Sequence, residues 1–166
     1  LVANEGQLQV HTAPYRGSFS VVLSEALRAA GLGRRVMVAQ FLKGGVNQGP
    51  NGIVRLCGRL EWLRPAISSC IKKRALENAS DEGGAKTTDA IKDVWEFCKS
   101  RLLANDLDQL ILDELGLATA LGYLDENDVL SCLEQRKSSM DIILTGPSIP
   151  PRVVSIADQI TELRCN

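Results

Sequence analysis

Aromatic residues make up only 4% of this 166-residue chain, and it holds a single histidine, His11. Its five cysteines (Cys57, Cys70, Cys98, Cys132 and Cys165) form no Cys-x-x-Cys pair, and with one histidine they lack the spacing of a zinc site. The odd count and the apolar neighbours of Cys98 and Cys132 point to reduced, packing thiols rather than a disulfide framework. Apolar runs such as 36–39 are far too short to span a bilayer, and the first residues show no charged-then-apolar secretion pattern. No charge of one sign dominates, with 19 Lys and Arg against 20 Asp and Glu. That balance leaves neither a basic stripe for nucleic acid nor an acidic tail. The expectation is a cytoplasmic protein with no membrane or nucleic-acid partner.

What is present is ordinary globular material: 45% hydrophobic and 23% charged residues. One domain over 1–166 is expected, long enough to bury roughly two-thirds of its unfolded surface. A short strand over 8–12 runs into the turn Ala13-Pro14-Tyr15-Arg16-Gly17. Phe19, Val22, Leu23, Ala26, Leu27 and Ala30 then recur at helical spacing, and Gly31-Leu32-Gly33 ends that helix. Strands are expected over 35–42, 60–63, 109–112, 141–145 and 159–163. Helices are expected over about 126–135 and from Pro150 or Pro151, and 68–84 reads as loop. Thr87 or Thr88 is expected to cap a long helix buried through Ile91, Val94, Trp95, Cys98 and Leu102. Compact apolar strands alternating with helices specify an α/β fold, a mostly parallel central sheet covered on both faces. Ligands in such folds bind beyond the carboxyl ends of the strands, so the turns after Thr12, Leu42, Leu112 and Thr145 are expected at one edge.

Several residues have two readings. Asp113 and Glu114, at a strand's carboxyl end, suit a water-mediated Mg²⁺ site, or are remnants that are either solvated or hydrogen-bonded to loop amides. Lys43, beside Gly44, either meets an anion or is solvated. His11 reads as structural or surface rather than as a ligand. Trp62 and Trp95 read as core anchors rather than stacking platforms. The cluster Lys72-Lys73-Arg74 is a solvated loop, or a contact for phosphate or an acidic partner. Gly83-Gly84-Ala85-Lys86-Thr87-Thr88 imitates a phosphate loop, but Ala85 precedes the lysine and the residues upstream are polar, so it reads as a helix start.

Three longer stretches carry a resemblance. They are Gln40-Phe41-Leu42-Lys43-Gly44; Leu110-Ile111-Leu112-Asp113-Glu114-Leu115 with Gly122-Tyr123-Leu124-Asp125; and Leu144-Thr145-Gly146 with Pro150-Pro151 and Ala157-Asp158-Gln159-Ile160-Thr161-Glu162-Leu163-Arg164. Together with Ala26-Leu27-Arg28-Ala29-Ala30-Gly31 they resemble the ATP:corrinoid adenosyltransferases across most of the chain, least over 47–89. The resemblance implies a three-layer P-loop NTPase (RecA-like) fold. It also implies a reaction in which a Co(I) corrinoid attacks the 5′ carbon of MgATP and releases triphosphate.

The residues for that reaction are largely replaced. Carried over from Gly31, the family's phosphate loop ends at Gly17, with Ser18 in place of its lysine and Phe19 in place of its Mg²⁺-binding hydroxyl. Ala13 and Tyr15 stand for two glycines, and Pro14 offers no N–H. Gly116 replaces an asparagine after Asp-Glu-Leu, Pro147 an arginine after Thr-Gly, and the family's corrinoid-pocket Gly-Phe-Thr-Trp segment is missing from 68–88. The phosphate-side candidates that survive are Arg16, Gly17, Ser18, Ser20, Lys43 and Thr145, with Asp113 and Glu114 for Mg²⁺. The expected function is a non-catalytic binding or regulatory protein of this family, acting on a protein partner or a second copy of itself. The alternative is an active adenosyltransferase binding MgATP and corrinoid through a rebuilt loop. A P-loop enzyme for another nucleotide is a third reading, resting on fold alone.

Overall fold

In the computed structural model, residues 5–17, 19–45, 48–71, 82–136 and 139–164 are described. Strand β1 (Leu8–Thr12) leads into helix α1 (Ser20–Gly31) and strand β2 (Val36–Gln40). A single 3₁₀ turn at Pro50–Gly52 precedes the short β3 (Val54–Arg55) and β4 (Leu60–Leu63). Helix α2 (Glu82–Ala104) is followed by β5 (Gln109–Asp113), α3 (Leu115–Ala120) and α4 (Glu126–Glu134). The chain closes with β6 (Asp141–Thr145), α5 (Pro151–Ile156) and β7 (Gln159–Glu162).

The seven strands form one sheet in the order β3-β4-β2-β5-β6-β1-β7, parallel except for β3 against β4. This is the mixed α/β architecture of the P-loop NTPase type. β2 and β5 are buried at every position, as central strands covered on both faces must be. The covering is uneven. One face packs Met37, Leu110, Leu112, Ile142 and Leu144 against Ile91, Val94, Trp95, Leu115, Leu130 and Val153 of α2 to α5. The other packs Val38, Ile111 and Ile143 under Val22, Ala26 and Ala30 of α1.

Some sequence expectations shift. The apolar run 35–42 is strand only over Val36–Gln40. The long helix starts at Glu82, so Thr87 and Thr88 are not its caps. Their hydroxyls donate back to the carbonyls of Gly83 and Gly84, four residues earlier. Helical spacing overrides capping preference there, because a threonine hydroxyl inside a helix reaches the preceding turn. Helix α3 and strand β3 have too few residues for a period to show. Trp95 is buried as expected, and Trp62 is partly buried, packed against the margin of the α1 core. Lys72, Lys73 and Arg74 lie outside the described residues. Among those described, no helix is long and apolar enough to cross a membrane.

Candidate functional site at the carboxyl edge

Strand register lines up a polar row two residues beyond the α1-covered core, on the same face. Gln40 pairs with Asp113, Asp113 with Thr145, Thr145 with His11, and His11 with Thr161. Parallel neighbours at one register level point the same way, so these side chains share the face of Val38, Ile111 and Ile143.

The Asp113 side chain is only 4% exposed, and both its oxygens are engaged. Oδ1 accepts from Thr145 Oγ1 at 2.8 Å. Oδ2 accepts from Gln40 Nε2 at 2.8 Å and from Lys43 Nζ at 3.0 Å. Gln40 is fixed in turn, its Oε1 accepting from Trp62 Nε1 at 2.9 Å and Arg64 Nε at 2.8 Å. Gln40, Trp62 and Arg64, none of them among the sequence-predicted site residues, complete the network. The signal was in the sequence, since Gln40 is the one polar residue of β2, and a polar side chain at a buried strand end needs partners.

Glu114 is closed differently. Its side chain is 2% exposed, and Arg16 grips it with two parallel bonds, Nε to Oε1 at 2.6 Å and Nη2 to Oε2 at 2.8 Å. This fork-on-carboxylate geometry is among the strong charge-assisted pairings, with two parallel bonds that also fix its orientation. The hydrogen bond to Glu114 raises the Arg16 pKa above its ordinary value, with burial opposing it. Arg16 Nη1 also donates to the Ile71 carbonyl. Glu114 itself sits in the left-handed region, at φ 63°, a conformation costly for a residue with a side chain. Its N–H donates to Thr145 O at 2.8 Å, which holds it there.

The loop after β2 locks onto the same group. A Cβ at Gly44 would lie 2.4 Å from Ser69 O, so only glycine permits this approach. Gly45 N donates to Ile67 O and Ile71 N to Leu42 O, both at 3.0 Å. Arg16, Glu114, Ile71 and Leu42 thereby tie the turn after β1 to β2 and β5.

The remaining candidates are scattered around this knot. Gly17 is exposed, and a Cβ there would meet only the Tyr15 ring at 3.8 Å, so nothing steric demands glycine. Ser20 is exposed at the first position of α1, and Ser18 lies outside the described residues. Phe19 turns inward to the α1 core, its ring edge-on to His11 at 6.5 Å. Burial pushes the His11 pKa down, favouring its neutral form. At Gly116 a Cβ would come within 2.8 Å of Ser148 O, so the turn after β6 closes where a larger residue would stand. Beyond it lies a cleft of about 700 Å³ lined by Tyr123, Asp125, Ile149 and Pro150 among others. Among the described residues no group of three His, Cys, Asp or Glu side chains is arranged to hold a metal. The donor set at Asp113 and Glu114 does not suit Mg²⁺, because protein cations and donors already take the carboxylate oxygens it would need.

The strand order, the Asp113-Glu114 edge and the Gln40-to-Gly44 turn agree with the match of the family model for ATP:corrinoid adenosyltransferase BtuR/CobO/CobP, over residues 4–166. The chain belongs to this family. The corrinoid adenosyltransferase of Escherichia coli K12 is 28% identical over 160 residues, covering 96% of this chain and 76% of that protein. The corrinoid adenosyltransferase of Pseudomonas aeruginosa is 27% identical over 165 residues, covering 95% and 74%. An uncharacterized protein of Nostoc sp. is 25% identical over 170 residues, covering 96% of this chain but 44% of its own length.

Proposed function

We propose that this family member has exchanged nucleotide-dependent catalysis for a binding or regulatory role. The observation that carries this reading is the bidentate Arg16–Glu114 pair, next to an Asp113 whose two oxygens are also taken. A buried carboxylate matched by an internal cation has little reason to release it for a hydrated metal, since the protein's own fork is already desolvated and in place. Phe19 buried where a hydroxyl would face Mg²⁺, and Pro14 without an N–H, support the same conclusion. The protein would then act through this closed edge, or through a surface shared with a protein partner or a second copy of itself.

One arrangement favours the rival reading, an active adenosyltransferase with a rebuilt loop. Arg16 and Lys43 bring two cations to one edge, where they could neutralise phosphate if their carboxylates let go. Melting temperature measured with and without millimolar MgATP separates the two. A micromolar site would add about 4 kcal/mol at a thousandfold excess of ligand. The expected result is no magnesium-dependent shift. A magnesium-dependent rise that disappears in Asp113→Asn would overturn the proposal, and assay with a reduced corrinoid would then test for transfer.

A further inference from the structure

A second charge cluster lies at the opposite edge of the sheet, by the amino ends of β2 and β4. Arg35, Arg55, Arg59 and Arg101 line one cavity of about 290 Å³, together with Glu61 and Asp106. The carboxylates there are already committed. Glu61 Oε2 accepts from Arg101 Nη1 at 2.6 Å, and its Oε1 lies 3.4 Å from Arg55 Nε. Asp106 Oδ1 accepts from Arg101 Nε at 2.9 Å. Asp108 holds Arg35 through both oxygens, at 2.8 and 3.3 Å, and also accepts from the Arg35 N–H at 2.7 Å.

Four guanidinium groups therefore converge against three acids. The Arg59 side chain has no ion pair or hydrogen bond with any described residue, and the two terminal nitrogens of Arg55 donate to none. The unclaimed N–H donors exceed what the two oxygens of one carboxylate could accept, whereas a phosphate group presents three terminal oxygens to such forks. The volume is small, at the lower end for ligand pockets. One effect works against an anion: α2 ends here, and a helix carboxyl end carries partial negative charge. Arg101 in its last turn offsets that.

We propose that this cavity binds a small phosphorylated anion, with Arg55 and Arg59 as the gripping residues and Arg35 and Arg101 as a fixed cationic wall. It stands apart from the carboxyl edge by the length of β2, roughly 16 Å for five residues. The proposal is independent of whether that edge binds nucleotide.

Calorimetric titration with metal-free pyrophosphate tests it, on the wild-type chain, on Arg55→Gln/Arg59→Gln and on Lys43→Gln. Wild type and Lys43→Gln are expected to bind alike. The double variant should bind at least about tenfold more weakly, since each lost charge-assisted bond is worth more than one such factor. Affinity in the wild type should fall as salt rises. Arg55 and Arg59 are exposed, so the double variant is expected to melt with the wild type, which is measured alongside. No binding by the wild type, equal binding by the double variant, or citrate binding as tightly as pyrophosphate would each overturn the proposal. ATP held in this cavity would need no magnesium and would be lost in the double variant. Nucleotide at the carboxyl edge would instead depend on Asp113, so the two readings fail separately.

Discussion

At the carboxyl ends of β2, β5 and β6 the charges are buried and matched; at the amino ends of β2 and β4 they are more exposed and unequal. Asp113 and Glu114 lose almost all contact with water, and each oxygen has a protein donor. Arg55 keeps 79% of its side chain exposed and faces Glu61 through one long contact. The difference follows from solvation. A buried charge left unmatched is too costly to persist, so the carboxylates of the first edge are each matched by a donor from the chain itself. An exposed guanidinium stays hydrated, so the second edge can keep spare donors.

The sharpest way to break the comparison is Arg16→Ala. Removing the fork leaves Glu114 buried and unpaired, and urea unfolding should show a loss of about 3 kcal/mol. Adding Glu114→Gln should recover much of that loss, because the orphaned charge goes with it. Equal stability of the single variant and wild type would mean that the pair contributes nothing. A smaller effect is expected from Gly116→Asn, which restores the residue type the family resemblance implies. Its Cβ would press on Ser148 O and Ile149 Cα, at 2.8 and 2.9 Å, and should cost about 2 kcal/mol by the same measurement.

The smallest effect concerns pH at the amino edge. Hydrogen bonds from the Arg35 side chain and N–H hold the Asp108 carboxyl down to about 2, from an ordinary 3.8. The folded group is the stronger acid, so the unfolded chain binds more protons as pH falls below 3.8. The contribution of this pair is therefore complete above that value and is lost between about pH 4 and pH 2. With both side chains a third or more exposed, solvent screening keeps that contribution small. Acid unfolding of Asp108→Asn should lack this component of the slope. An unchanged slope would refute the assignment.

Much of the scaffold was legible because periodicity and burial are local. The apolar runs at 8–12, 60–63 and 141–145, and the spacing from Val22 to Ala30, announce their elements within a few residues. The exceptions have particular causes. Glu82–Ala104 begins in polar sequence where no stripe marks it, and Leu115–Ala120 is too short to declare a period. At the candidate site the motif pointed to Asp113, Glu114, Lys43 and Thr145, and the strands bring Asp113, Lys43 and Thr145 into one hydrogen-bonded group. Arg16, read as a charge for phosphate, instead spends its fork on Glu114, 98 residues away.

From the amino-acid order alone came the α/β class, the alternation of strand and helix, and the family resemblance. Each depends on neighbours within a turn or two of chain, or on motif identity. Which partner each buried charge takes was decided only in three dimensions. Register sets Gln40, Asp113 and Thr145 side by side, and the close approach of 65–71 over Gly44 brings the Ile71 carbonyl to Arg16. Electrostatic matching in a buried site depends on distance and desolvation, and neither quantity exists until the strands have paired.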